Sequence, residues 1–176
     1  MRLQPFTGSR SVVSGIEVDA VRHPGHVALT YRVTGDVGAL QLPPFAASTR
    51  ADALWQHTCF EAFVRPLPQD GYFEFNFAPS TQWAAYGFST ARHGMHNIDA
   101  SPERIAAQES DGAYTLDVLV DLTRVPALLA DRPWRLNLSA VIEEKDGSKS
   151  YWALAHPPGK PDFHNPDCFV LELPAA

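Results

Sequence analysis

The sequence predicts an all-β fold, an antiparallel two-sheet β-sandwich of immunoglobulin-like or jelly-roll-like form. Three observations carry that expectation. Apolar and polar residues alternate with period two in many short runs, as they do in strands that bury one face. Clusters of Gly, Pro, Asn and Asp separate the runs, and these residues supply the backbone conformations that turns need. No segment sustains a 3.6-residue apolar period, so no long amphipathic helix is expected.

In chain order, Ile16, Val18 and Ala20 alternate with Glu17 and Asp19, and Val27, Leu29, Tyr31 and Val33 alternate with Thr30, Arg32 and Thr34. His23-Pro24-Gly25 between them reads as a turn. Residues 40–50 carry Pro43 and Pro44, and prolines cannot donate to a central ladder, so a crossing loop is expected there. A long hairpin follows, with strands over 54–65 and 72–78 joined by a turn over 66–71. Residues 81–89 are aromatic-rich and fit a strand or an irregular crossing, whereas 91–102 read as loop. Residues 105–108 fit a short strand, and 114–122 alternate cleanly. Pro126 can open about one helical turn, where its missing N–H costs nothing. Strands over 134–144 and 150–155 flank Asp146-Gly147, the strongest hairpin signal in the chain, and a last strand covers 168–173. That makes roughly eight to ten short strands, which suits a sandwich.

At 176 residues the chain is the right size for one domain over 1–176. Hydrophobic residues make up 45% and charged residues 19%, a globular rather than a disordered composition. With 20 acidic against 14 basic residues and a net charge of -6, no basic stripe stands ready for phosphates, so nucleic acid is not an expected partner. No apolar leader and no run of about 18 apolar residues is present, and a cytoplasmic protein without a membrane partner is expected. Cys59 and Cys168 lie in strand-like segments and are expected as small buried hydrophobes rather than as a disulfide or a nucleophile.

Period two also separates faces. Over 54–65 it puts Phe60, Ala62 and Val64 toward a core and Trp55, His57, Cys59 and Glu61 on the other side. Over 72–78 it puts Phe73, Phe75 and Phe77 opposite Tyr72, Glu74 and Asn76, and over 134–140 it puts Leu136 and Leu138 opposite Arg135, Asn137 and Ser139. If these strands share a sheet, its outer face mixes aromatics with carboxylates and amides. Aromatic faces stack on sugar rings, and planar carboxylates and amides bond neighbouring hydroxyls. The expected ligand-binding residues are Trp55, His57, Glu61, Tyr72, Glu74, Asn76, Trp83, Arg92 and Asn137. The plainer alternative is a solvated face of weak surface ion pairs. Use of Glu61 and Glu74 as a glycosidase pair is weighed and set aside, and no catalytic residue is expected.

A second reading uses the loop histidines. Met95 with His96, His156 or His164 could hold a haem iron or a metal, although no compact metal motif is present. Residues 156–168 are expected instead to fold back as a rigid loop in which Asp162 and Asn165 turn onto the backbone. A third reading has the polar face dock a protein partner.

The runs LWQHTCFEAFV (54–64), GYFEFNFAPSTQWAAYGF (71–88), LNLSAVIEE (136–144) and PDFHNPDCFVLEL (161–173) resemble bacterial DOMON-like proteins. Those in turn are similar to family 9 carbohydrate-binding modules. Trp55, Glu61, Asn76, Pro79, Phe163, His164 and Pro166 stand at matching positions. The resemblance implies a DOMON or family 9 type of β-sandwich, with sugar or haem as the ligand of the wider superfamily. The function expected is a non-catalytic module that binds a small saccharide or a saccharide-containing metabolite without a cofactor; a haem- or metal-binding domain or a protein-interaction domain is the alternative.

Overall fold

In the computed structural model of the chain, residues 1–8 and 10–175 are described. Strands β1 (Arg2–Pro5), β2 (Val13–His23) and β3 (His26–Gly35) are followed by β4 (Cys59–Pro66), β5 (Tyr72–Phe77), β6 (Trp83–Phe88) and β7 (His96–Asn97). Then come β8 (Ser101–Ser110), β9 (Ala113–Asp121), α1 (Pro126–Leu129), β10 (Trp134–Glu143), β11 (Lys149–Ala153) and β12 (Leu171–Leu173). All pairs are antiparallel, in the order β7-β6-β5-β4-β10-β11-β1-β2-β3-β9-β8, with β12 against β10.

The two sheets expected to be separate are joined into one path that curls over on itself. The link is β1, whose Arg2 and Leu3 pair with β2 while Gln4 and Pro5 pair with β11. Its four residues bury only Leu3, so period two had nothing to register there. The halves share one core in which Tyr31 of β3 meets Phe60 of β4 at 5.1 Å between ring centroids, and Phe60 stacks on Tyr114 of β9 at 6.1 Å. Phe60, Ala62, Val64, Phe75, Phe77, Leu136 and Leu138 all lie in this core, as the alternation requires. The Tyr31 hydroxyl donates to the Glu61 carbonyl at 2.7 Å across it, which satisfies a polar atom in an otherwise apolar layer.

Most turns form where the residues placed them. Asp146-Gly147 closes the β10–β11 hairpin with Gly147 at φ +86°, and the Ser148 N–H donates to Asp146 Oδ1 at 2.8 Å. Four elements differ from expectation. Residues 54–56 are a 3-10 turn rather than the start of a strand, entered through Ala53 at φ +60°. Strand β8 runs ten residues instead of four, although its side chains are largely exposed; ladder bonds to β9 hold it, and such bonds need no apolar pattern. Strand β12 is three residues, and Cys168 sits before it in a 3-10 turn. Residues 96–97, expected as loop, form a two-residue strand, while 83–88 take the strand form of the two expected there. Among the described residues no helix is long and apolar enough to cross a membrane.

Candidate functional site

On the outer face of β4, β5 and β6, away from the main core, lies a cleft of about 950 Å³. Its floor comes from alternate residues of adjacent strands. Glu61 pairs across from Asn76, and Phe63 from Glu74, so the two glutamates stand diagonally on neighbouring strands, with Phe63 and Asn76 at the other two corners. Part of the lining is the segment carrying Asp52, Trp55 and His57, and part is Arg92, Met95 and Asn97 from the stretch after β6. A third part is the loop with Pro161, Phe163 and His164, beside Lys149 and Tyr151 of β11.

The loop over 156–168 covers the outer face because apolar rings there need burial. Phe163 and Phe169 join Phe63, Tyr72, Ala84, Tyr86, Phe88 and Val141 in a second, smaller apolar cluster. Asp162 and Asn165 turn back onto the backbone as expected, accepting from the N–H groups of His164 (3.2 Å) and Asp167 (2.9 Å). Asp162 also pairs with Arg92 at 2.5 Å, tying the loop to the stretch after β6. Arg92 and Ala53, on two sides of the cleft, both hold positive φ of 60°, conformations disfavoured for non-glycine residues and frequent at ligand-binding walls.

The floor is acidic and buried. Glu61 is 3% exposed and Glu74 5%. Ser139 Oγ donates to Glu61 Oε2 at 3.0 Å, and Asn76 Nδ2 donates to Glu74 Oε1 at 2.7 Å. Among the described residues neither glutamate forms an ion pair with a Lys or Arg, and His164 Nε2 lies 3.7 Å from Glu74 Oε2. Burial, then the Glu74 charge, push the Glu61 carboxyl up to about 8, against the Ser139 hydrogen bond. Burial raises Glu74 as well, against Asn76 and Arg92. Desolvation disfavours the ionised form of each, and the pair cannot both ionise cheaply.

His164 completes the floor as a neutral ring. Burial first, and Arg92 second, hold it down to about 4, against Asp162. The Arg92 backbone N–H donates to the Tyr72 oxygen at 3.2 Å, and Tyr72 O–H lies 2.7 Å from His164 Nδ1. That chain assigns the acceptor role to Nδ1 and the ring proton to Nε2, which then faces Glu74. The contact is a dipole aimed at a carboxyl, not an ion pair.

Of the nine expected ligand-binding residues, Trp55, His57, Glu61, Glu74 and Arg92 line the cleft. Trp55, 53% exposed, and His57 reach it from the wall rather than from a strand face. Tyr72, Asn76, Trp83 and Asn137 do not line it. Tyr72 is buried under the loop, stacked on Phe88 at 4.8 Å, and Asn76 orients Glu74 from beneath. Trp83 packs against the main core with Arg50 over its ring at 4.8 Å. Asn137 is buried, and its Nδ2 donates to the Phe163 carbonyl at 3.0 Å, so it anchors the covering loop.

The histidines divide in the same way. His164 and Met95 share the cleft, but both His164 nitrogens are turned to Tyr72 and Glu74. His96 stands over Gly87, where an added Cβ would meet its ring at 2.6 Å, and His156 packs on Phe6 and bonds the Gln4 carbonyl. Neither lines the cleft with Met95. Among the described residues, no three His, Cys, Asp or Glu side chains group to hold a metal. Cys59 and Cys168 are both free and buried, and burial pushes both thiols up, Cys168 to about 11, which keeps them poor nucleophiles.

Sequence reasoning missed Asp52, Lys149 and Tyr151. Asp52 accepts from the Tyr86 hydroxyl at 2.6 Å, and Lys149 donates to the Gln56 carbonyl at 2.5 Å. Tyr151 was legible in principle: it alternates with core Trp152 on a strand whose partner carries Val141 outward.

No family model matches the chain, and no curated protein does. Among solved structures the chain is similar to one from Bacteroides uniformis ATCC 8492 described as a "putative carbohydrate-binding protein". The TM-score is 0.66 at 16% identity, over 95% of this chain and 83% of that one. At that identity the likeness shows the fold.

Proposed function

We propose that the chain is a non-catalytic binding module that holds a small saccharide or saccharide-containing metabolite in the outer-face cleft. The observation that carries this is a polar floor set among rings: Glu61 and Glu74 share the cleft lining with Phe63, Tyr86 and Phe88, and Trp55 is exposed beside them. Sugars present apolar C–H faces edged by hydroxyls, and such a surface matches both parts. The cleft volume suits a small ligand. Similarity in fold to a protein described as carbohydrate-binding supports the same ligand class, as does the resemblance to DOMON-like and family 9 modules.

Trp55 supplies the stacking surface. Glu61 and Glu74 bond hydroxyls, and Arg92 with Asp162 fixes the covering loop. Asn76, Tyr72 and Asn137 are positioning residues. A thermal-shift titration against mono- and disaccharides tests this. A ligand at 100 times its Kd adds about 2.7 kcal/mol, so a clear rise in Tm is expected, lost in Trp55→Ala. Absence of any saccharide response, or a response that survives Trp55→Ala unchanged, would overturn it.

A further inference from the structure

The floor of the cleft carries acid without a counter-ion. Glu61 uses only one of its oxygens within the protein: Oε2 accepts from Ser139, and among the described residues nothing donates to Oε1. Glu74 likewise bonds through Oε1, leaving Oε2 with the neutral His164 ring at 3.7 Å. Both side chains are more than nine-tenths buried and line the cleft. Each therefore keeps an oxygen that accepts no hydrogen bond from the described residues, on a side chain that lines the cleft.

The cations of the cleft are already engaged. Arg92 is paired with Asp162, and Lys149 is held by the Gln56 carbonyl and lies 3.9 Å from Glu143. Asp52 adds a third acid to the lining. A buried carboxylate without a positive partner is costly, and replacing water by a fixed cation recovers much of that cost. Neutral sugars can bond these oxygens but cannot balance them. An ammonium can do both, because its donors are charged and such hydrogen bonds are roughly twice as strong as neutral ones.

We propose that the cleft selects saccharides bearing a protonated amine, an amino sugar whose ammonium sits between the free oxygens of Glu61 and Glu74. This rests on the saccharide-binding reading above and names its ligand class. In it, Trp55 stacks on the ring and the glutamates read the amine.

Three disaccharides that share a β-1,4-linked glucose frame separate the possibilities: fully deacetylated chitobiose, cellobiose and N,N′-diacetylchitobiose. They differ at C2 by ammonium, hydroxyl and acetamide. Titration calorimetry at pH 6.5 is expected to give the aminated disaccharide an affinity about ten-fold or more above cellobiose, with release of the proton that burial keeps on Glu61 in the empty cleft. The preference should persist in 0.5 M NaCl, since buried pairs are screened far less than the general attraction of an acidic surface. In Glu61→Gln, and separately in Glu74→Gln, the ratio of the two affinities should fall toward one, with folding checked by circular dichroism. Asp52→Asn serves as a milder second variant and should lower the ratio less. Equal or tighter binding of cellobiose or the acetylated disaccharide would overturn the amine preference while leaving saccharide binding in place. A preference that vanishes in salt would overturn it too, as would one that survives both Gln variants. Failure of all three disaccharides to bind would overturn this proposal and count against saccharide binding as well.

Discussion

Strands β4 and β5 present two faces that differ in every respect except the backbone they share. On the inner face Phe60, Ala62, Val64, Phe75 and Phe77 are buried among apolar neighbours from both halves of the sheet. On the outer face Glu61, Glu74 and Asn76 are buried to nearly the same degree, yet under a loop and beside a cleft. Burial alone does not distinguish a core from a site. The inner face lowers free energy by removing carbon from water, whereas the outer face takes carboxyls out of water with little in return, an arrangement that suits binding.

Substitutions and pH should separate the faces. The largest expected effect is on the inner one: Phe60→Ala should destabilise the fold by about 3–5 kcal/mol, read as a urea midpoint. A loss below about 1 kcal/mol would mean that the halves do not rely on this core.

The outer face should respond to pH instead. Glu61 rises from its ordinary 4.5 to about 8 in the fold, so the folded state holds its proton longer than the unfolded chain. That contribution is complete below about 4.5 and is lost as pH rises through 8. His164, lowered from 6.5 to about 4, has the opposite sign: its contribution is complete above 6.5 and is lost as pH falls toward 4. Between pH 6.5 and 8 the histidine is silent and the glutamates dominate. Stability should therefore fall over that interval, by on the order of 2 kcal/mol. His26, raised by its Glu103 and Pro24 contacts, acts in the same direction, so the decisive comparison is Glu61→Gln, which keeps a neutral side chain at every pH. Its slope should be markedly flatter than that of the parent protein. Equal slopes would mean that Glu61 is already ionised in the fold.

A smaller effect belongs to the joint between face and loop. Tyr72→Phe keeps the stack on Phe88 but removes the hydroxyl that links Arg92 to His164, at a cost of about 1 kcal/mol. A loss matching that of Phe60→Ala would show the loop to be part of the main core.

The inner face was legible because alternation is a property of the strand itself: Phe60, Phe75 and Leu136 take the side that period two assigns. The outer face was legible in composition but not in depth. Tyr72, Asn76 and Asn137 were read as exposed ligand contacts and are buried, because the loop over 156–168 covers them, and that closure is a tertiary event. Trp55 and His57 reached the cleft for another reason than the one that selected them. They lie on a turn entered through Ala53 in a left-handed conformation, which no residue preference announces. Asp52 and Lys149 carried no local signal at all. They join the cleft only because β11 pairs with β10 and the turn before β4 folds over it.

Backbone amide chemical-shift mapping during titration with a disaccharide that raises Tm tests the central claim, that the outer face of β4 and β5 is where ligand binds. Shifts are expected in residues 52–57, 61–63, 92–97 and 161–164, with β2, β3 and β9 unmoved. Saturation with shifts centred on β2, β3 and β9 instead, and residues 52–57 and 161–164 unmoved, would contradict it.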